Sequence, residues 1–162
     1  SYDLIEQSTK PEREATDVSN MLQEIVNEAT VRALHRDQHI ELSLPDKTST
    51  VYLERIRCSV ALRELVDILI HLNPPRMRFH FSVTNAEDHV AIVLESGIAR
   101  LPDWEDIALG KDEGDMTLRL ALAWIQHSIQ DNQGQIRTER DSTQQRRDIH
   151  IHFPTRPLAS SL

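Results

Sequence analysis

The chain has 162 residues, 18 Lys and Arg against 26 Asp and Glu, a formal net charge of −8 and 39% apolar residues, enough for one hydrophobic core. The single Cys58 excludes an internal disulfide framework and suits a reducing, cytoplasmic compartment, while the acidic balance argues against nucleic-acid binding, which needs cations to neutralise phosphates. No apolar run approaches the roughly 20 residues of a membrane span, and 4 glycines leave little for a glycine-rich phosphate loop.

Ser1 is not an initiator Met and nothing near it reads as a signal peptide, so a longer parent chain is expected. Residues 1–16 are polar, hold Pro11, and read as a linker or the end of an upstream helix. Asp17 is an N-cap for a helix whose apolar face is Val18, Met21, Leu22, Ile25, Val26, Ala29, Ala33 and Leu34. Ile40, Leu42 and Leu44 alternate with polar residues as in a half-buried strand. A turn from Pro45 to Thr50 leads into a short strand at Val51–Leu53. A second helix is predicted from Glu54 to Leu72, with Ile56, Val60, Ala61, Leu65, Ile68, Leu69 and Leu72 as its buried set. Pro74 and Pro75 stop it.

Met77–Val83 and Val90–Leu94 form a hairpin around Asn85-Ala86-Glu87-Asp88. Residues 97–116 read as a loop, with room for a short helix over Asp103–Leu109. Leu118–Ile129 is a strongly apolar helix that includes Trp124 as a core residue. Gly134 turns the chain into a strand opened by Ile136, and the last strand, Asp148–Phe153, closes at Pro154. Residues 155–162 are a tail. This order predicts one domain over 17–154, an α/β (α+β) two-layer sandwich. About three helices cover one face of a mixed, mostly antiparallel sheet of about five strands.

On the last strand His150 and His152 are two apart and share a face, which His80 shares if the strands are close. Ile149, Ile151, Phe153, Phe79 and Phe81 then point the other way, so the histidine face is expected to be open to solvent. No Cys or carboxylate completes a zinc set at a recognisable spacing, and no metal site is predicted. Cys58, among apolar neighbours, reads as a small core residue.

The element order, together with Leu62-Arg63-Glu64-Leu65-Val66-Asp67-Ile68 running to Pro74-Pro75, resembles the ATP-binding catalytic domain of sensor histidine kinases, the GHKL or Bergerat-fold ATPases. Ile92-Val93-Leu94-Glu95-Ser96-Gly97 is similar to the strand and box that read adenine in that family. Thr117 to Ala123 sits where the family has its second glycine box, and Gln133-Gly134-Gln135-Ile136 matches the turn that follows.

What the resemblance implies is a nucleotide site with its chemistry removed. The family's Mg²⁺-coordinating Asn falls at Ile68, whose aliphatic side chain offers no oxygen to a hard cation. Glu64, one turn earlier, is the catalytic residue if the site works, and a solvated helix charge otherwise. The adenine-reading carboxylate falls at Glu95, one methylene longer than Asp. Gly97 is retained, while Ala99 replaces the next glycine. Thr117, Arg119 and Ala121 stand where glycines admit phosphates to backbone N–H groups, so side chains occupy that space. Arg119 is either a compensating cation or an ordinary surface Arg.

Between these boxes lies the acidic segment Ile98–Met116, which repels a triphosphate and is expected to be mobile over Pro102–Asp115. Trp104 within it is a partner anchor, a plug for the cleft or a core residue. The implied function is a degenerate, interaction or regulatory module of two-component or phosphorelay signalling, with no cofactor and no enzymatic activity of its own. The alternative is a working, Mg-ATP-dependent histidine kinase domain. The implied partners are a dimerisation/phosphoacceptor domain and a response regulator, with neither nucleic acid nor membrane contacted.

Overall fold

A computed structural model describes residues 12–96, 116–140 and 147–155. The elements are β1 (Glu14–Asp17), α1 (Val18–His35), β2 (His39–Ser43), β3 (Thr50–Leu53), α2 (Arg55–Leu72), β4 (Arg78–Asn85), β5 (His89–Ser96), α3 (Met116–Asp131), β6 (Gln135–Arg140) and β7 (Arg147–Pro154). The two-layer expectation holds. A five-stranded sheet in the order β2-β4-β5-β7-β6 has one parallel pair, β2 with β4, and is otherwise antiparallel.

One strand was not anticipated. Glu14–Asp17, within the stretch read as a linker or helix end, pairs antiparallel with β3 from Glu14↔Leu53 to Asp17↔Thr50. Only Thr16 of its four residues is buried, so the apolar alternation that marks a strand is absent from its sequence. Backbone pairing with β3 creates it. The strand then runs directly into α1, whose first turn is capped as predicted: the Asp17 side chain accepts from the Asn20 N–H at 3.1 Å.

Phe79, Phe81, Val90, Ile92, Leu94, Ile149, Ile151 and Phe153 fill the inner sheet face and are buried under the helices. Burying this many large side chains is the dominant favourable term in folding. The strand register matches the sequence expectation, because His80, His150 and His152 lie on the opposite face, where none is fully buried. A row of side chains crosses that outer face through the paired positions Glu41, His80, Glu95, Asp148 and Glu139.

α1 and α2 are parallel neighbours. Arg63 pairs with Glu28 at 3.1 Å and Arg32 with Asp67 at 2.7 Å, two bridges one helical turn apart in the same direction. Their ends are tied by buried Gln38, whose Nε2 donates to the carbonyls of Ile70, Asn73 and Pro74 at 3.0–3.2 Å. α2 and α3 are antiparallel, since Arg57 near the start of α2 bonds Asp131 and Ser128 at the end of α3, at 2.8 and 3.2 Å.

The α2 helix departs from its expected buried set. Ile56 is 82% exposed and Val60 44% exposed, while the buried face is Cys58, Ala61, Leu62, Leu65, Val66, Leu69 and Ile70. Trp124, expected in the core, is 38% exposed on α3. Both corrections have one cause. These helices carry more apolar residues than a single buried stripe holds, and spacing alone does not say which ones turn away from the sheet.

Candidate functional site

The site is built on the middle of α2. At 100° per residue, steps of four advance 40° around a helix, so Ile56, Val60, Glu64, Ile68 and Leu72 form one slowly winding ridge. It starts at the solvent-facing crest with Ile56 and turns towards α3 by Ile68 and Leu72, both of which are half-buried. There, α2 and the start of α3 enclose a cleft of about 620 Å³, lined by Val60, Arg63, Glu64, Asp67, Ile68, His71, Leu72 and Leu118. That volume lies within the usual range for small-molecule sites, roughly 300–1,000 Å³.

Its charges are unequally committed. Arg63 and Asp67 are held by Glu28 and Arg32 of α1. Among the described lining residues, Glu64 is the carboxylate with no ion pair and no hydrogen bond. The remaining lining is mostly aliphatic: Val60, Ile68, Leu72 and Leu118. A hard cation such as Mg²⁺ takes oxygen ligands in near-octahedral geometry. The described walls offer it one uncommitted carboxylate and no side-chain amide, so the donor set does not fit a bridging Mg²⁺.

The structure brings only part of the predicted site together. Glu64 and Ile68 line the cleft. Glu95 does not reach it: its place in the β5 alternation puts it on the outer sheet face, with Oε2 3.3 Å from Nδ1 of His80, whose Nε2 lies 2.8 Å from Ser43 Oγ. One residue of strand phase separates the two faces, and Val90, Ile92 and Leu94 already hold the inner one. Of the first turns of α3, Leu118 lines the cleft, whereas Thr117 is exposed and Arg119 and Ala121 are half-buried. The Arg119 Nε is buried without a partner. Gly97, Ala99, Trp104 and the segment Pro102–Asp115 lie outside the described residues.

Sequence reasoning missed the network that fixes the α2–α3 geometry. Glu54, 8% exposed at the N-cap of α2, gives its backbone N–H to Asn132 Oδ1 at 2.8 Å. Asn132 Nδ2 donates to the Ser128 carbonyl at 2.8 Å and to Glu54 Oε2 at 3.3 Å, and Arg57 Nη1 also reaches that carboxylate. No local pattern marks these residues as partners, because 78 positions separate Glu54 from Asn132. Also missed were the lining residues Arg63, Asp67 and His71. The matched spacing of Glu28 and Arg32 with Arg63 and Asp67 was the available signal.

Cys58 is buried beneath α2, and its thiol is pushed up to about 12, first by burial and then by the neighbouring Glu54 charge. It is a core residue, as expected. Among the described residues, no group of three or more His, Cys, Asp and Glu side chains is placed to hold a metal ion. On the outer sheet face, His152 stacks on His89 with centroids 4.7 Å apart. Its pKa is lowered, first by burial and then by the charges of His89, Arg137 and His150.

The fold is that of the catalytic domains of sensor histidine kinases. No protein-family model matches the chain, and no curated protein matches it. Solved structures do. The catalytic domain of histidine kinase ThkA, in a nucleotide-free form, superposes with a TM-score of 0.77 at 14% identity, covering 90% of this chain and 99% of that one. The mycobacterial sensor histidine kinase MprB gives 0.72 at 17% identity over 90% and 99%. The Acinetobacter baumannii histidine kinase AdeS gives 0.72 at 19% identity over 94% of this chain and 72% of that one. Identities this low establish the architecture alone. No helix among the described residues is long and apolar enough to cross a membrane.

Proposed function

We propose that this chain is a degenerate histidine-kinase ATPase-like domain, an interaction or regulatory module of bacterial two-component or phosphorelay signalling in which nucleotide binding is lost. The observation that carries this reading is Ile68 in the wall of the cleft, beside Leu72 and Leu118. It stands where the resembling family places a metal-ligating Asn. Glu95, the other expected nucleotide contact, is spent on the far side of the sheet with His80. Thr117, Arg119 and Ala121 in place of glycines add side chains at the helix start.

A module of this kind works by contact, in the cytoplasm. Its partners are a dimerisation/phosphoacceptor domain and a response regulator. ThkA supports that context, since it has been solved in complex with the response regulator TrrA, in a chain of which this one spans 47%. The uncommitted Glu64 in the cleft favours a second reading, a divergent but working Mg-ATP-dependent kinase domain with Glu64 as its catalytic carboxylate.

Calorimetry with Mg-ATP separates the two readings. The first expects an apparent Kd weaker than about 1 mM, or about −4 kcal/mol. Loss of metal bridging, adenine reading and phosphate contacts, at about 1–3 kcal/mol each, erases a micromolar affinity near −8 kcal/mol. Ile68→Asn alone does not restore binding. Saturable micromolar binding by the unmodified chain would overturn the degenerate reading in favour of the kinase.

A further inference from the structure

An apolar ridge winds along α2, exposed at Ile56 and Val60 and half-buried at Ile68 and Leu72, and a second apolar row lies exposed on α3. On α2 the residues four apart run Ile56, Val60, Glu64, Ile68 and Leu72, apolar except at the centre. On α3 they are Met116, Leu120 and Trp124, which are 61%, 64% and 38% exposed. Large apolar side chains exposed singly are ordinary, but rows of them beside an open cleft mark an interaction site. The cleft opens along the α2 ridge and takes Leu118 from the start of the antiparallel α3, while the exposed α3 row lies outside its lining. At 1.5 Å per residue the α2 ridge is about 24 Å long, the length of roughly four helical turns. A helix seats in such a groove through side chains at i, i+4 and i+7 or i+8.

The charges along the groove define the occupant further. Arg57 is held by Glu54 and Asp131, Arg63 by Glu28, and Asp67 by Arg32. That leaves Glu64, at the centre of the ridge, as the uncommitted fixed charge among the described residues lining the cleft. We propose that the groove between α2 and α3 receives a single amphipathic helix of a partner protein, with apolar side chains at helical spacing and a Lys or Arg at its centre that pairs with Glu64. This rests on the reading that the cleft no longer serves a nucleotide, and it names what the cleft binds instead. The occupant's aliphatic side chains enter beside Ile68, Leu72 and Leu118, and its cation meets a carboxylate that no Arg among the described residues neutralises.

The test is fluorescence anisotropy of the full 162-residue chain with two labelled 20-residue helical peptides. Both carry Leu at the anchor spacing, one with a central Lys and one with a central Glu. The Lys peptide is expected to bind saturably, and the Glu peptide at least ten-fold more weakly. Val60→Glu, at an exposed position that lines the cleft and leaves the core intact, weakens the Lys peptide ten-fold or more, with far-ultraviolet circular dichroism showing the fold retained. Glu64→Lys reverses the preference between the peptides. Equal binding of both peptides, no saturable binding of either, or indifference to Val60→Glu and Glu64→Lys overturns the proposal. So does concentration-dependent dimerisation of the chain that Val60→Glu abolishes, since it gives the groove to a second copy. The Mg-ATP calorimetry is read separately. Mg-ATP binding overturns the degenerate reading, whereas silence towards both Mg-ATP and the peptides overturns this inference alone.

Discussion

Replacing Asn132 by Ala severs the link between the start of α2 and the end of α3. Asn132 is 2% exposed, and its side chain satisfies two buried backbone groups, the Glu54 N–H and the Ser128 carbonyl, at 2.8 Å each. Both belong to helix ends, where intrahelical partners are missing. Leaving a buried polar group unpaired costs about 1–3 kcal/mol, so two of them should cost about 2–6 kcal/mol. The Glu54 carboxylate keeps Arg57 at 3.3 Å and adds little to the loss. For a chain of this size 1 kcal/mol corresponds to roughly 2–4 °C in Tm, and the expected fall is about 4–24 °C. Urea denaturation gives the free energy directly, with an unchanged m-value showing that the native state is still compact. Asn132→Asp is a sharper companion. It keeps an acceptor for the Glu54 N–H but sets a second carboxylate against Glu54 and the Ser128 carbonyl. Its folded pKa is therefore raised, so its deficit grows as pH rises through the carboxylate range. A loss below about 1 kcal/mol for Asn132→Ala, or a pH-independent deficit for Asn132→Asp, would refute the assignment of this network as the α2–α3 clamp.

Gly134→Ala should destabilise by about 1–3 kcal/mol in the same denaturation assay, because an added Cβ would stand 2.8 Å from the His152 carbonyl oxygen and 2.9 Å from both Ile129 and Phe153. Cys58 should resist thiol reagents in the native state up to pH 9 and react once unfolded, as monitored by mass spectrometry, because burial holds its pKa near 12. Its contribution to stability is complete below the ordinary thiol range and lost as pH rises from there towards 12. His152 should titrate below the ordinary imidazole range by NMR. Its depressed pKa means that the associated stability is present above about pH 6.5 and lost as pH falls, and His89→Asn should move it back up by removing the stacked neighbour's charge.

Much of the architecture was legible in the linear chain because its signals are local. The Asp17 cap, the apolar face of α1 from Val18 to Ala33 (the expected Leu34 is exposed), the Pro74-Pro75 stop and the alternation of Phe79, Phe81, Ile149, Ile151 and Phe153 each depend on residues a few positions apart. Periodicity carries less about the site. It assigned Ile56, Val60 and Trp124 to the core, and it could not say that Glu95 would spend its carboxylate on His80 across the sheet. The strand at Glu14–Asp17 was illegible for a related reason, since only pairing with Thr50–Leu53 makes it a strand.

What the sequence by itself determined is therefore the set of elements apart from β1, the strand phase and the types of side chain available at each box: an aliphatic Ile68, an acidic Glu64 and a chain with 4 glycines. Tertiary structure decided which of those side chains meet. It placed Glu64 and Ile68 in one cleft with Leu118, sent Glu95 to the opposite face, and committed Arg63 and Asp67 to α1 while leaving Glu64 without a counter-charge among the described residues. The physical reason is range. Helix and strand signals repeat every 3.6 or 2 residues, whereas a site is made by contacts between positions as far apart as Ile68 and Leu118, which only the packing of α2 against α3 brings together.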